Sequence, residues 1–167
     1  PKDAAEIIIN APQKDFNKND AQKVIDYLQK GGKAIIVGMH SETEMPNFAS
    51  ILDTYGVSLT TGPIADNDAQ HYYNMGGPLY LLPNVNSSSY TGSLSGGYVY
   101  LPISLGINYP QNSTTDDTES TEESKTTYTS LLDTSDDAVA KNNPNSMQDY
   151  GYEDGDDKGP FSVGLAV

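Results

Sequence analysis

Five polar residues follow two predicted strands and could form one ligand-binding crevice. Asn10 and Gln13 come after a first apolar run. His40, Ser41 and Glu42 come after a second. Open parallel sheets bind ligands at the carboxyl ends of their strands, so these residues are expected at one edge. A histidine beside a hydroxyl and a carboxylate would also suit a hydrolase with dispersed active-site residues. The alternative interpretation is that all five are ordinary polar loop residues.

Other short motifs lack residues that their chemistry requires. The acidic residues 154–159 place Lys158 at the fifth position of a calcium loop and Leu165 at the twelfth, where oxygen ligands are needed. Residues 92–96 put Leu94 where a nucleophile elbow requires serine. No glycine-rich phosphate loop occurs, and neither His40 nor His71 has metal-ligand spacing. We therefore predict no metal and no cofactor.

Charge and composition exclude several classes of function. The chain of 167 residues carries 9 lysines against 23 acidic residues, a formal net charge of −14, and it has no arginine. Binding to nucleic acid or to an anionic membrane surface needs clustered cations, so neither is expected. With no cysteine, disulfides, thiolate nucleophiles and iron–sulfur clusters are excluded.

The elements that must position these residues are clearest in the opening third. Three apolar runs predict buried strands: residues 5–10, 33–38 and 57–59. Asn17 is a typical N-cap for a helix that ends at Gly31, and Pro46 suits the first turn of a second helix. Alternating strands and helices fold onto a parallel sheet with right-handed crossovers. The pattern therefore predicts a three-layer α/β fold with a mostly parallel, Rossmann-like sheet.

The rest of the chain is less regular. Residues 62–97 are rich in Gly, Asn, Ser, Pro and Tyr. The remaining candidate strands are residues 79–82, 97–102, 128–132 and 161–167, and residues 103–107 could extend the second of them. Residues 116–157 hold 13 acidic residues and two lysines. Residues 112–127 contain no aliphatic side chain. Because such a segment cannot offset its ordering entropy by burial, we expect a mobile acidic loop there.

Tyrosines are concentrated in the irregular middle of the chain. They are Tyr72, Tyr73, Tyr80, Tyr90, Tyr98 and Tyr100. Amphipathic rings of this kind bind sugars or protein surfaces. They equally suit half-buried strand faces, so both interpretations stay open.

Several segments together resemble a known family. Residues 27–32 read Y-L-x-x-G-G before an apolar strand, residues 55–57 read Y-G-V, residues 131–135 read L-L-D-T-S, and residues 158–161 read K-G-P-F before a final strand. In this order they resemble the extracytoplasmic domain of GldG-type auxiliary proteins of ABC transporters, which are gliding-motility-like export systems. The resemblance spans nearly the whole chain but gives no counterpart for the tyrosine-rich middle or the acidic loop.

The resemblance implies one extracytoplasmic α/β domain over residues 1–167, anchored to the bacterial cell membrane by helices outside this chain. The family fold is related to amidotransferase-like domains, whose catalytic cysteine is absent here. The first hypothesis is therefore a non-enzymatic accessory module that contacts the permease and ATPase subunits of an ABC transport system. The second is a module that binds carbohydrate or cell-wall glycan, and the third is a hydrolase that uses His40.

Overall fold

The computed structural model describes residues 4–94, 96–111, 126–142 and 149–167. Its two helices are α1 (Lys18–Gln29) and α2 (Pro46–Asp53). Its strands are β1 (Ile7–Asn10), β2 (Ala34–Val37), β3 (Ser58–Asp66), β4 (Tyr80–Leu81), β5 (Asn84–Val85), β6 (Leu101–Pro102), β7 (Leu105–Asn108), β8 (Thr129–Asp133), β9 (Ala138–Ala140), β10 (Asp157–Lys158) and β11 (Ser162–Ala166). Neither helix in these ranges is long and apolar enough to span a membrane.

The predicted elements of the opening third are confirmed. β1 and β2 pair in parallel, with α1 between them in the chain. The Asn17 side chain caps α1 by accepting a hydrogen bond from the Asp20 amide at 2.9 Å. At the other end Gly31 adopts a φ of +84°, a left-handed conformation that glycine reaches without steric cost. Sequence periodicity and capping chemistry were sufficient to place these elements.

The start of α2 is capped from a distant part of the chain. Met45 provides no side-chain cap. Instead, the Asp15 carboxylate accepts hydrogen bonds from the Asn47 amide at 3.1 Å and from the Phe48 amide at 2.9 Å. The ring of Phe16 stacks on that of Phe48 with centroids 6.3 Å apart. The segment before α1 therefore fixes the position of α2, because it satisfies helix amides that have no partner within the helix.

One face of the β1–β2 pair is covered by both helices. The buried core of this unit consists of Ile9, Ala21, Leu28, Phe48 and Ile51. These side chains come from β1, α1 and α2, so the helices share the same face of the sheet. The parallel unit therefore has two layers among the described residues.

The prediction of a mostly parallel three-layer sheet is wrong. β1 and β2 form a two-stranded sheet, whereas the larger sheet has seven strands in the order β10-β9-β3-β7-β11-β8-β5, all antiparallel. A parallel connection needs a crossover of a dozen or more residues, usually a helix. Beyond α2 the described residues contain only one short 3₁₀ helix, at Gly92–Leu94. The described residues after α2 therefore contain no α-helix that could make a parallel crossover, and every strand pair of the larger sheet is antiparallel.

β3 is longer than the three-residue strand predicted for residues 57–59, and it continues through Gly62 and Pro63. Its first part pairs with β7 and its last part with β9. The register shifts between Leu59 and Pro63, and Gly62 lies within this irregular stretch. A second core forms on this sheet from Ile64, Leu81, Ala138, Ala140 and Phe161.

The later strand predictions have mixed outcomes. The candidates at residues 79–82, 97–102, 128–132 and 161–167 correspond to β4, β6, β8 and β11. The extension of the second candidate over residues 103–107 is wrong, because β7 is a separate strand in the larger sheet, whereas β6 pairs with β4. β5, β9 and β10 were not predicted, since two of them are only two residues long and the third is three. The acidic loop predicted for residues 112–127 falls almost entirely outside the described residues, so its mobility stays a prediction.

Candidate functional site

The carboxyl edge of the parallel pair carries the first two candidate residues. Because Asn10 lies beside Val37 in the register, the segments that follow β1 and β2 leave the same edge. Asn10 and Gln13 are both exposed. The side-chain amide of Gln13 donates a hydrogen bond to the carbonyl oxygen of Ala11 at 3.1 Å, so this side chain is held by its own turn. Ala11 has a φ of +45°, a strained conformation for a non-glycine residue.

The second group of candidates is likewise held by local backbone. His40 Nδ1 lies 3.2 Å from the carbonyl oxygen of Thr61, which requires Nδ1 to carry the proton. The Ser41 hydroxyl donates to the Thr43 carbonyl oxygen at 2.9 Å. Glu42 is exposed. No hydrogen bond or ion pair between described residues joins any two of the five candidates, so the structure places them at one edge without assembling them.

The opposite face of the β1–β2 pair is apolar and uncovered by any described element. Ile8 and Ile35 lie side by side on it, with 68% and 51% of their surfaces exposed. Val37 and Met39 continue the patch and are also exposed. We call these four residues the apolar face. Singly exposed aliphatic residues are ordinary, but a contiguous apolar patch marks an interaction surface.

A groove of about 790 Å³ runs beside β2 and connects with this apolar face. One wall is the whole of β2 and its neighbours, residues 32–38. The facing wall comes from β7 and β11, through Leu105, Ile107 and Leu165 among others. Its volume lies within the range of about 300–1,000 Å³ that is usual for ligand pockets. We call it the β2 groove.

Three of the six tyrosines of the middle region meet on the surface. The ring centroid of Tyr100 lies 6.0 Å from that of Tyr73, edge to face, and 6.1 Å from that of Tyr80, nearly parallel. The Tyr73 hydroxyl contacts the sulfur of the exposed Met75. We call Tyr73, Tyr80 and Tyr100 the tyrosine cluster. Of the remaining three, Tyr72 is half-buried and Tyr90 and Tyr98 are exposed apart from this cluster.

A smaller polar pocket of about 300 Å³ lies beside Asp133 and Ser162. The Asp133 carboxylate accepts a hydrogen bond from the side-chain amide of Asn86 at 2.5 Å and another from the Ser130 hydroxyl. The Ser130 and Ser162 hydroxyls are 2.8 Å apart. These groups satisfy one another, so they link β8, β11 and the segment after β5 rather than presenting free groups to a ligand.

Asp156, in the acidic segment that superficially resembles a calcium loop, pairs with a lysine of the same chain. The Lys141 ammonium group is completely buried and donates to the Gly151 carbonyl oxygen at 2.7 Å, to Glu153 at 3.1 Å and to Asp156 at 2.6 Å. These three bonds use all three of its donors. In the described ranges no group of three or more acidic or histidine side chains is arranged to hold a metal.

The pKa values of this pair reflect a competition between burial and hydrogen bonding. Burial acts to raise the pKa of Asp156, but hydrogen bonds from Lys141 and from the amides of Glu153 and Asn142 outweigh it and lower that pKa. Burial acts to lower the pKa of Lys141, and its bonds to Asp156 and Glu153 outweigh this and raise it. Both groups therefore stay charged at neutral pH.

Sequence reasoning did not identify the apolar face, although a signal was present. Residues 7–9 and 34–37 are apolar at every position, which is typical of strands buried on both faces. We interpreted them as buried strands, whereas the described structure covers one face only. The pairing of Lys141 with Asp156 had no comparable signal, because the contact depends on how the chain folds back.

Comparison with known proteins adds a fold relationship only. No family model matches the chain, and no curated protein matches it. Among solved structures it is similar to a chain described as "mmIFT52 N-terminal domain", with 12% sequence identity and a TM-score of 0.53. The alignment covers 80% of this chain and 54% of that one, so the present chain spans about half the length of its neighbour. At this identity the likeness concerns the fold.

Proposed function

We propose that this domain is a non-enzymatic, extracytoplasmic accessory module of an ABC transport system that acts by protein–protein contacts. Its partners would be the permease and ATPase subunits of the same system. The ABC context and the location come from the sequence resemblance to GldG-type domains. The observation that supports a docking role is the apolar face on the β1–β2 pair.

The apolar face favours docking because β1 and β2 are apolar on both sides, whereas helices cover only one of these sides. Ile8 and Ile35 belong to strands that are apolar on both sides, yet helices cover only the side that holds Ile9 and Ile36. Leaving such a surface in water forgoes about 25 cal/mol for every Å² that a partner could bury. A partner that covers the face would recover this free energy, which gives the face a physical reason to bind protein.

Co-purification of the full-length protein with its neighbouring permease in mild detergent tests the proposal. We expect the wild-type protein to retain the permease and the Ile8→Lys variant to lose at least about tenfold in affinity, since the variant places a charge within the contact. Leu94→Lys is the matched control, because Leu94 is 45% exposed and lies outside the apolar face. Absence of the complex, or equal retention by wild type and Ile8→Lys, would overturn the proposal.

The tyrosine cluster supports a second candidate function, the binding of cell-wall glycan. Sugar rings stack on exposed aromatic faces, and Tyr73 and Tyr100 are both exposed within the cluster. Calorimetric titration with soluble cell-wall fragments should give binding that Tyr100→Ala abolishes. Tyr98→Ala is the control, because Tyr98 is 90% exposed and has no ring partner among the described residues. Flat titrations across the fragments would remove this candidate.

A further inference from the structure

We propose that the β2 groove receives an extended segment of a partner protein, which adds to β2 as a third strand of the parallel pair. This inference rests on the proposed docking function and specifies the chemistry of the contact. Strand addition of this kind gains affinity from main-chain hydrogen bonds and specificity from alternate side chains.

The backbone of β2 has one paired edge and one open edge. The Lys33 carbonyl oxygen accepts a hydrogen bond from the Ile7 amide of β1, and the Val37 carbonyl oxygen accepts one from the Ala11 amide just after β1, both at 3.0 Å. Because successive residues of a strand direct their polar groups to opposite sides, the amides and carbonyls of Ala34 and Ile36 face away from β1. Among the described residues β1 is the only strand that pairs with β2. Two N–H and two C=O groups are thus available for a ladder.

The groove lies along this open edge. Every residue from 32 to 38 lines it, whereas none of Ile7–Asn10 does. It therefore lies on the side of β2 away from β1. Near the carboxyl end of β2 the side chain of Leu59 packs against Gly38. A segment of about four residues, roughly 13 Å when extended, would match the length of β2.

The edges of the larger sheet are less suited to strand addition. β10 and β5 form these edges, and each is two residues long. β10 also exposes two charged side chains, Asp157 and Lys158. Short, charged edge strands resist pairing with other chains. β2 is longer, with four residues, and the groove beside it is apolar, so β2 is neither short nor charged in the way that resists pairing.

The walls and the net charge define the segment that would fit. Apolar walls favour valine, isoleucine or leucine at alternate positions, since side chains of a strand alternate between faces. The chain carries a net charge of −14, most of it in residues 116–157, which attracts basic partners to the molecule, whereas the groove itself is lined by one acidic and one basic residue, Glu6 and Lys33. We therefore assign the groove to an extended partner segment with alternating aliphatic residues between flanking lysines or arginines.

A synthetic peptide can test this assignment directly on the 167-residue chain. The probe has seven residues, alternating valine and threonine between two terminal lysines. Hydrogen exchange followed by NMR should show that the amides of Ala34 and Ile36 exchange at least tenfold more slowly when the peptide saturates the protein. The amides of Ile35 and Val37 already face β1, so they serve as internal controls.

Two N-methylated versions of the peptide provide a matched control for the hydrogen-bonding mode. One version is methylated at the second, fourth and sixth amides, and the other at the third and fifth. Strand addition uses one of these sets and leaves the other facing away, so one version should lose at least tenfold in affinity and the other should bind nearly as the parent does. Equal weakening of both versions, or no weakening of either, would overturn strand addition.

The remaining outcomes separate this inference from the proposed function. Failure of the unmodified peptide to bind at millimolar concentration, or binding without slower exchange at Ala34 and Ile36, would overturn the inference. Either result leaves the Ile8→Lys co-purification test unaffected, because Ile8 lies outside the groove. Loss of the permease complex with intact peptide binding would instead overturn the ABC partner and keep strand addition.

Discussion

A buried lysine organises the last part of the molecule at the residue scale. Lys141 follows β9, and its three acceptors all lie between Gly151 and Asp156. Asp156 in turn accepts the Asn142 amide at 3.0 Å and the Glu153 amide at 3.0 Å. The buried ion pair thus holds the residue after β9 against the segment just before β10.

Replacing Lys141 by methionine should strongly destabilise the fold. The substitution leaves the Asp156 carboxylate buried without its counterion, and breaking a buried pair in this way typically costs about 3–5 kcal/mol. Urea denaturation measures the free energy of unfolding. The control is Lys23→Met, which removes the exposed ion pair with Asp20 and should cost less than about 1 kcal/mol. Equal losses for the two variants would contradict a structural role for the buried pair.

Asp15 should make stability depend on acid pH. Burial acts to raise its pKa, but hydrogen bonds from the amides of Phe48 and Asn47, the Asn47 side chain and the Phe16 amide outweigh it, so the pKa lies below its usual 3.8. A carboxyl group with a lowered folded-state pKa stabilises the fold above its unfolded-state pKa. That stabilisation is lost as pH falls through the folded-state value. Asp156 contributes in the same direction.

The measurement is the urea midpoint between pH 7 and pH 2. We expect it to fall below about pH 4, and Asp15→Asn should lower it at pH 7 and make the acid dependence shallower. An asparagine offers only one acceptor oxygen where Asp15 uses two. Asp26→Asn on the exposed side of α1 is the control. A pH profile unchanged by Asp15→Asn would show that this carboxyl group does not cap α2 in solution.

At the scale of elements, the close approach of β3 to the backbone just after β9 requires a residue without a side chain. The backbone of Gly62 passes so close to the carbonyl oxygen of Lys141 that an added Cβ would lie 1.7 Å from it. The neighbouring Pro63 carbonyl accepts the Lys141 amide at 2.9 Å. Gly62 therefore allows β3 to bend from its pairing with β7 to its pairing with β9.

Gly62→Ala should destabilise the protein by at least about 2 kcal/mol, since overpacking typically costs about 1–3 kcal/mol and here the clash is with backbone. Thermal or urea denaturation provides the measurement. Gly92→Ala is the matched control, because a Cβ there meets no atom within 4 Å, and its effect should stay within about 0.5 kcal/mol. Similar stabilities for the two variants would refute the close approach of Gly62 to the Lys141 carbonyl oxygen.

At the scale of the whole molecule, the charge of −14 should accelerate the binding of a basic partner. Electrostatic attraction steers oppositely charged molecules together, and salt screens it over about 10 Å at 0.1 M. The association rate of the lysine-flanked peptide, followed by stopped flow, should fall about tenfold between 0.02 M and 0.5 M NaCl. A peptide with glutamine in place of both lysines should show little salt dependence. A salt-independent rate for the lysine peptide would exclude steering.

Local sequence chemistry determined the opening third of this protein. Apolar runs, the Asn17 cap and the glycine stop placed β1, α1, β2 and α2, because short-range periodicity and capping are properties of neighbouring residues. The charge and the absent cysteine likewise limited its chemistry directly. The five candidate polar residues follow β1 and β2, and the sequence implied that they lie at one edge of the pair, since parallel strands end together.

Only the tertiary structure decided how the strands pair and which surfaces stay open. The sequence pattern implied that β3 would extend a parallel sheet, but it pairs antiparallel with β7 and β9, and the described residues after α2 contain no α-helix for a parallel crossover. The cap from Asp15, the burial of Lys141 and the uncovered side of Ile8 and Ile35 all depend on contacts between distant segments. Such contacts leave no period in the sequence, so the groove and the apolar face became visible only once the chain was folded.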